Sequence, residues 1–142
     1  MLKVVKRDPK AVIPSSAHPE DIGLDLTCIN VKKKLENGVI IYDTGISVQP
    51  PEGYYIEIIP RSSLSKTGWF LANSVGIIDP NYTGTLGIPL APLSIVSKEL
   101  TVPFCKFQLV VRKAYKFSVL EVDNIDNTER GDGGFGSTGD RV

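Results

Sequence analysis

The polar C-terminal stretch RGDGGFGSTG (130–139) carries the most specific chemical pattern in the chain. Arg130 supplies positive charge, and the flanking glycines let backbone N–H groups come close to phosphate oxygens. Phe135 supplies an aromatic face on which a base can stack. Because residues 123–142 hold almost no core-forming side chains, we expect a flexible C-terminal arm that closes over a ligand. A Gly-rich linker that binds nothing is the alternative interpretation.

An arginine followed by two hydroxyl residues marks a second candidate site, in PRSSLSKTG (60–68). Arg61, Ser62 and Ser63 can all donate hydrogen bonds to phosphate oxygens. A helical turn is expected over Ser62–Lys66, starting near the two serine hydroxyls, and its first backbone N–H groups would add donors. The pattern therefore favours an anion site, although a capped surface turn has the same residues.

The segment ANSVGIIDPNYTG (72–84) reads as a β-hairpin with an acid at the end of its first strand and an aromatic residue at its tip. Asp79 follows the apolar residues Ile77 and Ile78, so we expect a partly desolvated carboxylate. Such a group can act as a general base toward water. The alternative is that Asp79 only stabilises the turn. Tyr82 is the aromatic residue at the predicted tip.

A further carboxylate, Asp25, lies between Leu24 and Leu26 in HPEDIGLDLTC (18–28). It either faces solvent or helps to hold Mg²⁺ through water, since that ion keeps much of its hydration shell. His18, the only histidine, has no histidine or cysteine nearby in the sequence. A zinc site or a Ser-His-Asp triad is therefore poorly supported.

Composition limits the other possibilities. Lysine plus arginine equals aspartate plus glutamate, at 16 each, so broad binding to nucleic acid or to a membrane surface is not indicated. Cys28 and Cys105 are too few for a disulfide framework and are expected to be buried thiols. No apolar stretch has the length of a membrane span. We expect a soluble intracellular protein, cytoplasmic, or nuclear if the source is eukaryotic or viral.

Short apolar runs separated by glycine and proline predict an all-β domain over residues 1–122, of the sandwich or jelly-roll type. The charged run KKKLENG (32–38) is expected to interrupt the strands. The predicted strands are Leu2–Lys6, Asp25–Cys28, Gly38–Asp43, Ile46–Gln49, Gly53–Pro60, Gly76–Ile78, Gly84–Leu90, Leu100–Val102 and Lys106–Val111.

At these stretches the chain resembles the trimeric dUTP pyrophosphatase (dUTPase) family, over nearly its whole length. EDIGLDL (20–26) resembles motif one, PRSSLSKTG motif two, NSVGIIDPNYTG (73–84) motif three and RGDGGFGSTG motif five. Motif four departs, because VPFCKFQLVV (102–111) matches clearly only at Gln108–Leu109. The resemblance implies a distorted jelly roll or β-clip-type barrel, and a homotrimer whose active sites are shared between subunits. The arm 123–142 would then close over a neighbouring subunit's site.

The resemblance also implies an activity, the Mg²⁺-assisted hydrolysis of dUTP to dUMP and pyrophosphate. Asp79 would activate the water that attacks the α-phosphate, and Asp25 would hold Mg²⁺ through water. Tyr82 would pack under the deoxyribose, Asn73 and backbone groups would read uracil, and Phe135 would stack on it. The substrate-binding residues that the resemblance implies are Arg61, Ser62, Ser63, Asn73, Gly76, Ile77, Ile78, Tyr82, Gly87, Gln108, Arg130, Phe135, Gly136, Ser137 and Thr138.

Two other functions fit parts of the same pattern. A dCTP deaminase of related fold shares an Arg-Ser-Ser run, here residues 61–63. A catalytically silent nucleotide-binding module would keep the binding residues without turnover. Pyrophosphate release is favoured over both alternatives by three features, which are Asp79, the turn with Tyr82 and the arm with Phe135. That activity would lower dUTP and supply dUMP for dTMP synthesis.

Overall fold

The structure is a computed structural model that describes residues 1–140, and it is built almost entirely of β-strands. Residues 1–140 form ten strands and one short 3-10 turn. The strands are β1 (Lys3–Lys6), β2 (Leu24–Cys28), β3 (Asn30–Lys34), β4 (Ile40–Asp43), β5 (Ile46–Gln49), β6 (Tyr54–Pro60), β7 (Trp69–Leu71), β8 (Gly76–Ile78), β9 (Gly87–Pro92) and β10 (Phe104–Lys113). The 3-10 turn covers Ser62–Lys66. The all-β prediction is therefore confirmed.

The strands form three antiparallel sheets. Two four-stranded sheets, with orders β2-β10-β6-β8 and β3-β4-β9-β7, account for most of the fold, and β1 pairs with β5 in a small third sheet. These sheets do not close into a barrel within residues 1–140. The arrangement is a layered one of the jelly-roll type.

The core lies between the two larger sheets and follows the two-residue period of strands. In β6, Ile56 and Ile58 are fully buried while their neighbours are not. From the other sheet, Tyr42, Ile88 and Leu90 are fully buried. Burial of each such side chain contributes roughly 1.5–3 kcal/mol, so the alternating strands suffice to fix which face points inward.

Local signals predicted several elements well and missed others. The bounds of β5, β8 and the 3-10 turn agree with the prediction. Strand β3 was missed because it is an exposed edge strand rich in lysine, with no buried face to produce alternation. β7 was missed as well, and it has only three residues.

The predicted strand Leu100–Val102 is wrong. Leu100 and Val102 are apolar because they pack against the core from an irregular segment, not because they pair with a strand. The carbonyl oxygen of Leu100 accepts a hydrogen bond from the Tyr42 hydroxyl at 3.3 Å. The segment therefore covers the end of the core.

The predicted β-hairpin over residues 72–84 is also wrong, because its two strands belong to different sheets. β8 pairs with β6, whereas β9 pairs with β4 and β7 and begins only at Gly87. Leu86 explains the difference. It is fully buried, and its N–H donates to the Ile46 carbonyl at 2.9 Å, so the chain crosses between sheets before the second strand starts.

The last strand ends at Lys113, and residues 114–140 contain only bends and turns. This stretch is largely exposed, including the large apolar side chains Phe117, Val119 and Leu120. The division at residue 122 into a β domain and a flexible arm stays a prediction. Within residues 1–140, no helix has the length and hydropathy that crossing a membrane requires.

Candidate functional site

The first candidate pocket gathers residues from β2, β10 and the end of β6. Asp25 and Gln108 are direct partners across the β2–β10 pair, and Arg61 follows β6 on the other side of β10. The pocket has a volume of about 300 Å³. It is lined by Ala17, Asp21, Ile22, Gly23, Asp25, Arg61, Ser62 and Gln108. Strand pairing thus brings together side chains from the stretches that resemble motifs one, two and four.

Arg61 is held in this pocket by three groups. Its Nε lies 3.3 Å from Asp25 Oδ1, and its Nη1 donates to the Cys105 carbonyl oxygen at 3.2 Å and to Cys105 Sγ at 3.4 Å. The Arg61 and Asp25 side chains remain 38% and 31% exposed, so the ion pair contributes only about 0–1 kcal/mol to stability. Its effect is to orient the guanidinium group. Sequence reasoning missed Cys105, because its contact depends on where β10 begins relative to Arg61.

Gln108 anchors the backbone next to Arg61. Its Nε2 donates to the Pro60 carbonyl oxygen at 3.0 Å, and its side chain lies across Gly23. A Cβ at position 23 would be 2.8 Å from Gln108 Cδ and would clash with Oε1. Gly23 is therefore required for this side-chain position, a role that the sequence did not indicate.

The 3-10 turn presents its N-terminus to the same pocket. Arg61 is the N-cap residue, and no side chain caps the turn. Leu64 is buried and fixes the turn against the core, while Ser62 is exposed and lines the pocket. Ser63 is half-buried and is not among the lining residues. Of the three predicted phosphate donors, Arg61 and Ser62 therefore line this pocket and Ser63 does not.

Asp79 lies in a second groove, of about 280 Å³. The groove is lined by Lys32, Ile41, Ile77, Ile78, Asp79, Tyr82, Gly87 and Pro89. Asp79 is exposed in the single chain. The expectation that Ile77 and Ile78 desolvate its carboxylate is therefore wrong for the single chain. The turn is closed by backbone, since the Asp79 carbonyl oxygen accepts from the Tyr82 N–H at 3.0 Å. Among residues 1–140 the carboxylate itself accepts no hydrogen bond, which leaves it available to a water molecule.

Tyr82 folds back over the chain that follows it. Its hydroxyl donates to the Thr85 carbonyl oxygen at 2.9 Å, and a Cβ at position 84 would lie 2.7 Å from the tyrosine Cζ. Gly84 is thus needed for this close approach. Tyr82 is still 43% exposed, so the ring presents a face to the groove.

A tight turn precedes β8 and places Asn73 next to Gly76. The Val75 N–H donates to the Asn73 carbonyl oxygen at 2.6 Å, and Ser74 at the centre has a φ of 61°. A left-handed conformation at a residue other than glycine costs on the order of 1–3 kcal/mol and is commonest at functional sites. The Asn73 amide nitrogen is 3.7 Å from where a Gly76 Cβ would be. The Asn73 side chain therefore lies along the start of β8.

The stretch resembling motif five does not reach either pocket of its own chain. Hydrogen bonds of residues 128–139 are local, such as Arg130 Nε to the Gly133 carbonyl oxygen at 2.8 Å. Phe135 is fully exposed. Its neighbours form a separate concavity lined by Arg130, Gly134, Phe135, Gly136, Ser137 and Thr138. One chain therefore holds three separate groups of candidate residues.

The carboxylates of the first pocket suit a Mg²⁺ ion that is also coordinated by the phosphates of a bound nucleotide. Within residues 1–140 no cluster of three or more His, Cys, Asp or Glu side chains is placed to hold a metal. The first pocket offers two carboxylates, Asp25 and Asp21. One or two carboxylates together with substrate phosphates are the usual Mg²⁺ ligands, so the pocket suits that ion without forming a cage for it.

Comparison with known proteins identifies the class of this chain. The family model for dUTPase matches residues 9–139. The chain therefore belongs to the dUTPase family. It is 40% identical to the deoxyuridine 5′-triphosphate nucleotidohydrolase of Arabidopsis thaliana, over 96% of this chain and 82% of the relative. It is 35% identical to the protein of that name from Alkaliphilus metalliredigens, over 97% and 96% of the two chains.

Solved structures support the fold. The dUTPase of Staphylococcus bacteriophage 80alpha, solved as a mutant with dUpNHpp, has a TM-score of 0.75 with 22% identity and covers 98% of both chains. A mutant dUTPase from phage phi11 of Staphylococcus aureus, whose structure describes a structural Mg(II) ion, has a TM-score of 0.74 with 20% identity. That match covers 89% of this chain and 99% of the other. At this identity the match shows a shared architecture.

Proposed function

We propose that this chain hydrolyses dUTP to dUMP and pyrophosphate, by attack of water on the α-phosphate. The observation that carries the proposal is the Asp79 groove. It combines an unengaged carboxylate, the face of Tyr82 and apolar walls in a chain of the dUTPase family. These are the groups that an incoming water, a deoxyribose and a pyrimidine would need. The activity would lower dUTP and supply dUMP for dTMP synthesis.

The separation of the three residue groups supports a homotrimer with shared active sites. Asp79, Arg61 and Phe135 line three different concavities of the single chain. A reaction that uses all three therefore needs contributions from more than one copy. The exposed Phe117, Val119 and Leu120 give each copy apolar surface to bury against another. We infer that the arm 123–142 then reaches a neighbour's site.

Base selection would depend on Asn73 and on the backbone around Gly76–Asp79 and Gly87. Backbone donors and acceptors at these positions would pair with the polar edge of uracil. A wrong base would leave such groups unpaired, at a cost of about 1–3 kcal/mol for each buried group. Tyr82 would pack against the deoxyribose and leave no space for a 2′-hydroxyl.

The phosphates that leave as pyrophosphate would bind in the Arg61 pocket. Arg61, already oriented by Asp25 and Cys105, would donate to phosphate oxygens together with Ser62 and Ser63. Gln108 would hold the backbone that carries Arg61 in place, because its side chain donates a hydrogen bond to the Pro60 carbonyl oxygen. Mg²⁺ held through water by Asp25 would neutralise charge on the leaving pyrophosphate.

Closure of the arm would complete the site. Phe135 would stack on the uracil, and Arg130, Ser137 and Thr138, with the backbone at Gly136, would hold the triphosphate end. Closure would also remove water from around Asp79, which is exposed in the single chain. The arm would thereby supply the desolvation that the apolar neighbours Ile77 and Ile78 do not.

The test is pyrophosphate release from dUTP, dTTP, dCTP and UTP, with Asp79→Asn as the diagnostic variant. Asp79→Asn should keep affinity for a non-hydrolysable dUTP analogue and lower kcat by roughly 10²–10⁴, because the water loses its base. Glu52→Gln removes the charge of an exposed acid that lies outside both pockets and outside the arm, and it serves as the control.

Other outcomes identify the alternatives. Ammonia release from dCTP without pyrophosphate would indicate a deaminase. Analogue binding without pyrophosphate from any nucleotide would indicate a silent binding module. A kcat for Asp79→Asn within a few-fold of the wild type would refute the proposed role of that carboxylate.

A further inference from the structure

Lys32 is the extra residue of a β-bulge in the edge strand β3. Val31 pairs with Tyr42 and Lys33 pairs with Ile41, so adjacent partners on β4 face residues two apart on β3. Bulges re-aim side chains and are frequent next to active sites. The bulge thus changes the direction of one lysine in a strand that is otherwise a solvent-exposed edge.

Lys32 is exposed and lines the groove that contains Asp79 and Tyr82. The ion pairs of residues 1–140 involve Lys34, Arg61 and Arg112, so the Lys32 ammonium lies more than 4.0 Å from every described carboxylate. No carboxylate of residues 1–140 therefore forms an ion pair with Lys32. The groove is lined by this lysine and by an Asp79 carboxylate that accepts no hydrogen bond from the same residues.

We propose that Lys32 binds the α-phosphate of the bound deoxynucleotide. This inference rests on the proposed function, in which water next to Asp79 attacks that phosphate. The phosphate must then lie in the same groove as Asp79, and among residues 1–140 Lys32 is the one positively charged residue that lines this groove. Arg61 and Ser62 line the other pocket and would serve the leaving phosphates.

The division of roles makes a distinctive prediction, because the α-phosphate is present in dUMP and absent from deoxyuridine. Lys32→Gln should weaken dUMP binding about tenfold, the effect of losing one charge-assisted hydrogen bond, and should change deoxyuridine binding less than twofold. Lys32→Arg, which keeps the charge, should restore most of the dUMP affinity. The measurement is calorimetric titration of the full-length protein with each ligand.

Lys33→Gln is the matched control, since it removes the same charge from the neighbouring residue, which does not line the groove. It should bind both ligands as the wild type does. Equal loss of dUMP and deoxyuridine with Lys32→Gln, or equal effects of the two lysine variants, would overturn the proposal. Thermal unfolding of each variant identifies any loss of dUMP affinity that is caused by misfolding. If Lys32→Gln is misfolded, the dUMP affinity of Lys32→Arg tests the proposal, and a folded Lys32→Arg that does not bind dUMP would overturn it.

The two proposals fail in different ways. A wild-type protein that releases no pyrophosphate from dUTP would overturn the proposed function, and this inference with it. A wild type that hydrolyses dUTP, combined with unchanged dUMP affinity in Lys32→Gln, would overturn only the role of Lys32.

Discussion

Gly23→Ala should destabilise the protein by displacing Gln108. The added Cβ would lie 2.8 Å from Gln108 Cδ and 3.1 Å from its Cβ, so the amide must rotate away. That rotation breaks the hydrogen bond from Nε2 to the Pro60 carbonyl oxygen. Because Pro60 precedes Arg61, the change should also raise the KM for dUTP.

The expected magnitude combines three contributions. Loss of the hydrogen bond costs about 1 kcal/mol, and crowding against the Gln108 stem costs about 1–2 kcal/mol. Replacing a glycine whose φ is not left-handed stabilises the protein by about 0.5 kcal/mol, because alanine lowers the conformational entropy of the unfolded chain. The net loss is about 2 kcal/mol. For a domain of this size that lowers Tm by roughly 6–8 °C.

A double-mutant cycle tests the cause. Gln108→Ala alone should cost about 1 kcal/mol, and Gly23→Ala combined with Gln108→Ala should cost little more, because the clashing atoms are gone. Denaturant unfolding at one fixed protein concentration supplies the four free energies of unfolding. Gly134→Ala, whose Cβ meets nothing within 4 Å, is the control and should be neutral. Additivity of the two substitutions to within about 0.5 kcal/mol would refute the proposed contact.

Two further predictions use other parts of the chain. Deleting residues 130–142 should leave a folded oligomer with almost no pyrophosphate release. Full activity of that deletion would remove the arm from the mechanism. Of the two thiols, Cys105 is half-buried, whereas Cys28 is fully buried and its burial raises the pKa of the thiol. Iodoacetamide should therefore label Cys105 alone in the folded protein, as mass spectrometry of peptides would show. Equal labelling of both would contradict the burial of Cys28.

The features that sequence alone predicted are those set by local chemistry. The 3-10 turn Ser62–Lys66 and strand β8 have the predicted bounds, because an extended Pro60–Arg61 and the apolar run Gly76–Ile78 are sufficient local signals. Strand partners were harder. β8 was assigned to a hairpin with the strand that follows it, but it pairs with β6, and the chain passes to the other sheet at the buried Leu86.

In the candidate site, too, features set by local sequence could be predicted and features set by contacts between strands could not. Asp79, Tyr82, Arg61 and Asp25, which line the two candidate pockets, could be singled out from the sequence because their residue types carry recognisable chemistry at motif spacing. Gly23 and Lys32 could not be singled out in this way, since Gly23 is placed against Gln108 by the β2–β10 pairing and Lys32 is placed at the groove by a bulge in β3. Neither contact has a signature within a few residues of sequence.

The lysine-rich edge strand β3 also restricts how copies of this protein can associate. β3 is at the end of its sheet, and Lys32, Lys33 and Lys34 follow one another along it. A second copy that added its own β3 there would bring the ammonium groups of Lys32 and Lys33 against their counterparts, whereas Lys34 is paired with Glu99. Such repulsion discourages sheets from growing from molecule to molecule into filaments. We therefore expect copies of this protein to associate through surfaces other than the β3 edge.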